Sequence, residues 1–486
     1  MRKERSYKYT LALRMEALLT DLGQEHILGP LRKSGETILA QQIDGMDLAE
    51  SMRQYEASKK ALYNTSKEDI ASISPISEVV NFGGTEREES AEYMEAFNKG
   101  IEAIQESSVG CVIMSGGQGT RLNYNGPKGM YDMGLPSQRT IFKLHMDRIW
   151  AIREKARRSD GSFSATPTIP VYIMTSDLND SQIKKCFEDN DFFGYDQEDV
   201  VFFEQGLEPC ISMDGKLILE SETSLAMAPD GNGGLYNALR KSGTFKDIEK
   251  RGVKHLHIYG IDNVLTKSAD PAFIGCCIAR NSEIGNKVVW RASTKEKVGV
   301  ATERDGRMVI LEYSEIPQEL ADATDSRSGK LIYGAGNICN HYVHTNFLKE
   351  VIFTNLVKMY HLAPKKIPFW DAASGAQVTP ESNNGYKLEM FIFDPFPLAQ
   401  KYTVLEVQRK DEFAPVKNAP GSATDSPDTA REMMTAQATQ WLQAAGATVV
   451  REDPSSHIEI SARRSLEGEN LEEYQGQTIT APIYIE

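Results

Sequence analysis

The chain reads as an α/β protein built on an open, mostly parallel sheet with helices on its faces. Three observations carry that reading. Short apolar runs recur at Cys111-Val112-Ile113-Met114, Val171-Tyr172-Ile173-Met174, Val200-Val201-Phe202-Phe203 and His255-Leu256-His257-Ile258-Tyr259. Segments of helical length separate them, which is the grammar of strands buried on both faces. The first run is followed at once by Ser115-Gly116-Gly117-Gln118-Gly119, a strand that ends in a glycine-rich turn.

The elements in order are these. With 486 residues the chain exceeds the roughly 250–300 at which one core stops growing, so more than one unit is expected. Residues 1–105 read as a mainly helical N-terminal segment. Ser90 is placed as an N-cap, and Met94, Phe97, Ile101 and Ile104 form one apolar stripe at helical spacing. Residues 72–84, richer in Ser, Pro and Gly, read as a connection. Residues 106–420 form the sheet domain. Within it, 298–300 and 311–315 read as a strand pair, 403–407 as a late strand, and 387–394 alternates with strand period, placing Phe391 and Phe393 on one face. Residues 421–486 form a small α+β unit. Ser426-Pro427 opens its helix, Gly446 closes it, and short strands follow at 458–460 and 481–485.

Composition narrows the partners. A net charge of −15 argues against general nucleic-acid binding and leaves room for a small anion in a local basic pocket. No apolar run approaches the roughly 18–20 residues that span a bilayer. Six cysteines without a C-x-x-C pair fit reduced, buried thiols. The basic start Met1-Arg2-Lys3-Glu4-Arg5 has no apolar signal region after it, and the C-terminus carries no retention or peroxisomal tripeptide. A cytoplasmic protein, monomeric or weakly homo-oligomeric, is expected.

The glycine-rich segment suits phosphate. Without Cβ atoms the backbone turns tightly and brings N–H groups onto phosphate oxygens. Arg121 and Lys128 then supply charge, Arg as a fork and Lys as a point. Two common loops do not fit. A P-loop counted from Gly119 would need Gly-Lys where Tyr124-Asn125 stand, and a dinucleotide fingerprint from Gly117 would end on Leu122.

The stretch from Gly116 to Leu122, then Pro127-Lys128-Gly129-Met130 and Gly134-Leu135-Pro136-Ser137, resembles the eukaryotic UDP-N-acetylhexosamine pyrophosphorylases. Gln118 and Met130 resemble the amino-sugar branch rather than the UDP-glucose one. Asn123 departs from the pattern, which more often has glycine there. Further blocks continue the resemblance from about 111 to 420. It implies a Rossmann-like nucleotidyltransferase sheet. It also implies a uridylyl transfer from UTP to N-acetylglucosamine 1-phosphate with Mg²⁺, giving UDP-N-acetylglucosamine and pyrophosphate.

Roles carried over on matching positions follow. Arg121, Lys128 and Lys417 are the catalytic cations. Gly116, Gly117, Gln118, Gly119, Gln205 and Gly231 hold the nucleotide, with Gln205 on uracil. Asp262, after an apolar run, is the Mg²⁺ ligand near the α-phosphate; an aspartate at a strand's carboxyl end suits that ion. Asn232, Gly299, Glu312, Tyr313, Asn337, Lys387, Phe391 and Phe393 face the sugar, the two aromatics around the N-acetyl methyl. His341 and His344 have helical spacing but no evident third ligand, so they are read as structural. Two other readings stay open: a uridylyltransferase for glucose or galactose 1-phosphate, and a nucleotide-sugar-binding regulator without the chemistry.

Overall fold

The computed structural model describes residues 13–34, 38–64, 72–82, 90–157, 167–356 and 359–486, and divides them into two units. The larger unit holds 70–204, 238–351 and 396–486; the smaller holds 1–69, 205–237 and 352–395. The three segments expected from sequence cross this division, which parts 1–105 near residue 70 and takes two stretches out of 106–420.

In the larger unit, strands are β1 (Ile73–Pro75), β2 (Val80–Asn81), β3 (Val109–Met114), β4 (Val171–Thr175), β5 (Val200–Glu204), β6 (His255–Gly260), β7 (Ile284–Trp290), β8 (Val300–Arg304), β9 (Arg307–Leu311), β10 (Ala335–His344) and β11 (Tyr402–Glu406). They form one sheet of order β2-β11-β7-β10-β6-β3-β4-β5, with β8 also on β10, β9 on β8 and β1 on β8. Pairs along the main path are parallel except those of β10, which runs against both β6 and β7. The expected mixed, mostly parallel sheet is the one observed. Every residue of β3 and β4 is buried, which is why these runs lack polar alternation.

Helices α1 (Ala91–Gln105), α2 (Ile141–Ala156), α3 (Pro271–Ala279) and α4 (Pro427–Ala444) belong to this unit. Ser90 caps α1 by accepting from Tyr93 N. The buried face of α1 is not the expected stripe. Tyr93, Ala96, Gly100, Ala103 and Ile104 are buried, whereas Met94 is 41% exposed and Phe97 and Ile101 only half-buried. Small residues win because α3 comes very close. A Cβ on Gly100 would sit 2.0 Å from Pro271 O. Larger residues at that seam would force the helices apart.

Other expectations shift too. The 72–84 connection contributes β1 and β2 to the sheet, and its Gly83 and Gly84 lie outside the described residues. The hairpin near 300 is β8–β9, turning at Asp305-Gly306 with both φ positive, so Glu312 to Glu315 follow the strand rather than form it. His341 and His344 lie on β10, not on a helix, and His341 is fully buried.

At the C-terminal end Ser426 caps α4 in a capping box with Thr429. Two parallel pairs follow, Thr448–Val450 with Thr478–Thr480 and Ile458–Ile460 with Ile483–Ile485. Ala438, Leu442, Ile458, Ile479 and Ile485 form their own small core.

The smaller unit packs its helices, among them Leu48–Asn64, with short antiparallel strands. Met227–Pro229 pairs Leu207–Pro209, and Gly385–Glu389 lies between His361–Lys365 and Ile211–Ser212. Gln24 ties a helical turn to this unit through Gly215 O and Leu217 N. Ser51 Oγ meets Glu208 Oε2 at 2.5 Å. Among the described residues no helix is long and apolar enough to cross a membrane.

Candidate functional site

In the larger unit β3 and β6 lie side by side and parallel, with Gly260 opposite Met114. Their carboxyl ends therefore deliver two loops to one edge of the sheet, the place where open α/β sheets bind ligands. After β3, Ser115 Oγ donates to Met174 O and Asn179 Nδ2 to Ser115 O, fixing the exit of the strand. The chain then doubles back on itself. Gly119 N donates to Gly126 O at 2.8 Å, Lys128 N to Gly117 O at 3.2 Å, and Gln118 bridges Pro127.

No α-helix follows the glycines directly. Only a 3₁₀ turn at Thr120–Leu122 does, and α2 begins at Ile141 with Thr140 as its cap. The loop thus offers its own backbone, not a helix terminus. Asn123 closes the turn with φ +56°, a left-handed conformation that Asn tolerates, so its departure from glycine costs the loop little. Arg121 is exposed on this turn, and Lys128 sits on the returning 3₁₀ turn.

Asp262 follows β6. Its Oδ2 lies 3.8 Å from Lys128 Nζ, with side-chain exposures of 24% and 12%. Burial pushes the Lys128 pKa below the ordinary lysine value. Asp262 opposes that shift, while the positive charges of Arg121 and Lys417 add to it. Four charged groups from three loops therefore feel one another here.

Lys417 is brought in by a clamp. Asn263 Nδ2 donates to Glu412 O at 2.7 Å, Ala414 N donates to Asn263 Oδ1 at 2.8 Å, and Val416 N donates to Asp262 O at 2.8 Å. Lys417 N then donates to Asp425 O at 2.7 Å. Burial raises the Asp425 pKa, against the pull of Lys417.

Gly299, Glu312 and Asn337 also gather in this unit. Asn337 N donates to Gly299 O at 2.8 Å, and a Cβ on Gly299 would lie 3.2 Å from Glu312 Oε1. Asn337 Oδ1 accepts from Cys339 N at 3.1 Å. Tyr313 is 50% exposed in the turn after β9.

The smaller unit carries the other candidates. Gln205 Nε2 donates to Gly231 O at 2.7 Å. Gly231 has φ +83°, and a Cβ there would sit 2.3 Å from Met390 O. Met390 N donates to Asp230 O, Gly233 N to Met390 O, and Ile392 N to Asn232 Oδ1. These bonds end the strand at Glu389, so 390–394 is a turn and not the expected continuation. Phe391 and Phe393 nonetheless share a face, their rings 5.2 Å apart at 9°. Lys387 is half-buried on the strand Gly385–Glu389.

The motif reading missed the clamp around Asn263, Glu412 and the lysine behind it, Lys287. A signal existed: Lys287 stands directly before Val288-Val289 in a strand buried at almost every position.

Comparison with known proteins gives the family. The chain is 40% identical over 482 residues to UDP-N-acetylglucosamine diphosphorylase 2 of Arabidopsis thaliana, covering 96% of this chain and 92% of that one. It is 38% identical over 428 residues to the UDP-N-acetylglucosamine pyrophosphorylase of Saccharomyces cerevisiae, covering 87% of each. The crystal structure of the uridine diphosphate N-acetylglucosamine pyrophosphorylase from Trypanosoma brucei in complex with inhibitor matches at TM-score 0.83 and 27% identity, over 99% of this chain and 98% of that one. A family model described as UTP--glucose-1-phosphate uridylyltransferase matches residues 54–458, and with it the chain belongs to that family.

Proposed function

We propose that the chain transfers a uridylyl group from UTP to N-acetylglucosamine 1-phosphate, giving UDP-N-acetylglucosamine and pyrophosphate. The observation that carries this reading is the mutual approach of Lys128, Arg121 and Lys417 around Asp262 in the larger unit. Relatives over most of the chain bear the names of that reaction.

The attacking group is a phosphate oxygen of the sugar phosphate, anionic at neutral pH, so no general base is required. It forms a bond to the UTP α-phosphorus as the bond to the bridging oxygen breaks, and the electron pair departs on pyrophosphate. Two anions must be brought in line and the leaving charge held. Backbone N–H groups of Gly116, Gly117 and Gln118, with Arg121 and Lys128, hold the triphosphate, while Gly119, its N–H committed to Gly126 O, shapes the loop; Lys417 reaches the phosphates.

Asp262 fits a hard divalent cation, being an oxygen donor at a strand's carboxyl end that remains partly open. Mg²⁺ held there would supply charge neutralisation on phosphate oxygens. In the smaller unit Gln205, its Nε2 held by Gly231, offers Oε1 as acceptor to uracil. Asn232 offers Nδ2 to sugar hydroxyls, Phe391 and Phe393 form an apolar wall for the N-acetyl methyl, and Lys387 faces the sugar phosphate. In the larger unit Gly299, Glu312, Tyr313 and Asn337 serve the sugar. We place the enzyme in the cytoplasm, as a monomer or weak homo-oligomer.

The test is direct. The full chain is incubated with UTP, Mg²⁺ and N-acetylglucosamine 1-phosphate, and pyrophosphate is followed. Release that depends on the sugar phosphate is expected. A folded protein that binds UTP but releases none, with this sugar phosphate or with glucose or galactose 1-phosphate, would leave only the regulator reading.

A further inference from the structure

Lys287 stands in the middle of β7 with no side-chain exposure. Its Nζ lies 2.5 Å from Asp270 Oδ2 and 2.5 Å from Glu412 Oε2, and 5.3 Å from the face of Phe273. Burial opposes its charge, but the two carboxylates outweigh burial and hold its pKa above the ordinary lysine value. Asp270 is itself tied down as the N-cap of α3, accepting from Ala272 N at 3.0 Å. Glu412 is 6% exposed, and its second oxygen lies 3.5 Å from Lys267 Nζ.

Such a buried cluster is a weak stability device, because well-packed apolar side chains of similar volume do as well or better. Its position suggests another use. Glu412 ends the short helix Arg409–Glu412 and begins the stretch that Asn263 and Asp262 zip to themselves through Glu412 O, Ala414 N and Val416 N. The side chain of Glu412 is thus gripped from the sheet while its peptide is gripped from the β6 loop. Glu412 sits at one end of that zip, and Asp262, which holds Val416 N, lies with Lys417 at the other.

We propose that Lys287 and Glu412 are positioning residues for uridylyl transfer: their buried ion pair sets the register of 412–416 on 262–264 and so aims Lys417 relative to Asp262. The inference rests on the reading of Lys417 as a phosphate-contacting cation. It requires that removing the pair impair turnover through Lys417 and not through nucleotide binding or unfolding.

Lys287→Met strips two buried carboxylates of their shared cation and can abolish folding. Glu412→Gln is the working variant, since it keeps volume and an acceptor for Lys287. In the full chain, Glu412→Gln is expected to lower kcat roughly 10-fold to 100-fold, the cost of misplacing a reacting group by about an ångström. The KM for UTP should stay within about twofold of the parent, because a term confined to the transition state falls on kcat. The decisive comparison is Glu412→Gln in a Lys417→Ala background, where the further loss should be less than about twofold, the mark of two residues acting as one. A full multiplicative loss there overturns the inference, as does an unchanged kcat in Glu412→Gln alone. An unchanged kcat in Lys417→Ala alone overturns the role of Lys417 itself, and this inference with it.

Discussion

The Lys128 ammonium lies 3.8 Å from Asp262 Oδ2, and this pairing opposes the downward pull of burial and of two further cations on the lysine pKa. Excess positive charge gathered at the carboxyl edge of a parallel sheet is an arrangement that a polyanion completes. Arg121 is the exposed member of the group. Arg121→Ala is expected to lower turnover roughly 10²–10³-fold, the effect of one transition-state donor. Steady-state kinetics at saturating UTP checks it; near-parental turnover would remove Arg121 from the chemistry.

Asp262 presents its backbone O to Val416 N and its carboxylate to Lys128, so the carboxylate alone is available to a cation. Asp262→Asn keeps the shape and the backbone bond while removing the charge. The Mg²⁺ concentration giving half-maximal rate should rise by about tenfold or more, as for loss of one charged oxygen ligand. An unchanged metal curve would exclude Asp262 as the ligand.

Phe391 and Phe393 stack at 5.2 Å in the smaller unit, a flat apolar surface suited to a methyl group. Phe391→Ala should raise the KM for N-acetylglucosamine 1-phosphate by about tenfold, the scale of one methyl-sized contact. For glucose 1-phosphate, which lacks that methyl, the change should be much smaller. Equal effects on both sugar phosphates would assign the aromatics to packing alone.

His257 and His341 are fully buried in the sheet of the larger unit, and burial lowers their pKa values from 6.5 to about 4 and about 3. For His257 the Lys287 charge adds to the shift; for His341 the neighbouring His257 does. As pH falls below 6.5 the unfolded chain takes up protons that the folded chain refuses. Stability is therefore full above that pH and is lost progressively down to about pH 3. Denaturant midpoints measured across that window should fall, and His341→Gln should flatten the slope. An unaltered slope in that variant would show that other groups govern acid sensitivity.

Some of this was legible in residue order. The apolar runs at 111–114 and 171–174 are strands because two buried faces need apolar side chains at every position, and the runs at 200–203, on the sheet edge, and 255–259 extend the same sheet. The capped helix at Pro427–Ala444 follows from local chemistry, Ser before Pro and Gly after. The glycine loop could be read as a phosphate cradle from its composition. Its actual shape could not, because Asn123 and Pro127 fold it back before any helix begins.

Local patterns report which face of an element is buried, not which neighbour buries it. That is why the stripe on α1 was misplaced: the close approach of α3 favours Ala96 and Gly100 over larger apolar residues nearby. It is also why β10 was not foreseen running antiparallel between β6 and β7. Lys287 and Glu412 lie 125 residues apart, and nothing in either neighbourhood names the other. Side-chain type and short spacing were enough for the sheet class, the basic loop and the family resemblance. That Asn263 clamps 412–416, that Lys417 comes beside Asp262, and that buried Lys287 stands behind both follow from the assembled sheet alone. Those contacts exist only after strands distant in sequence have paired.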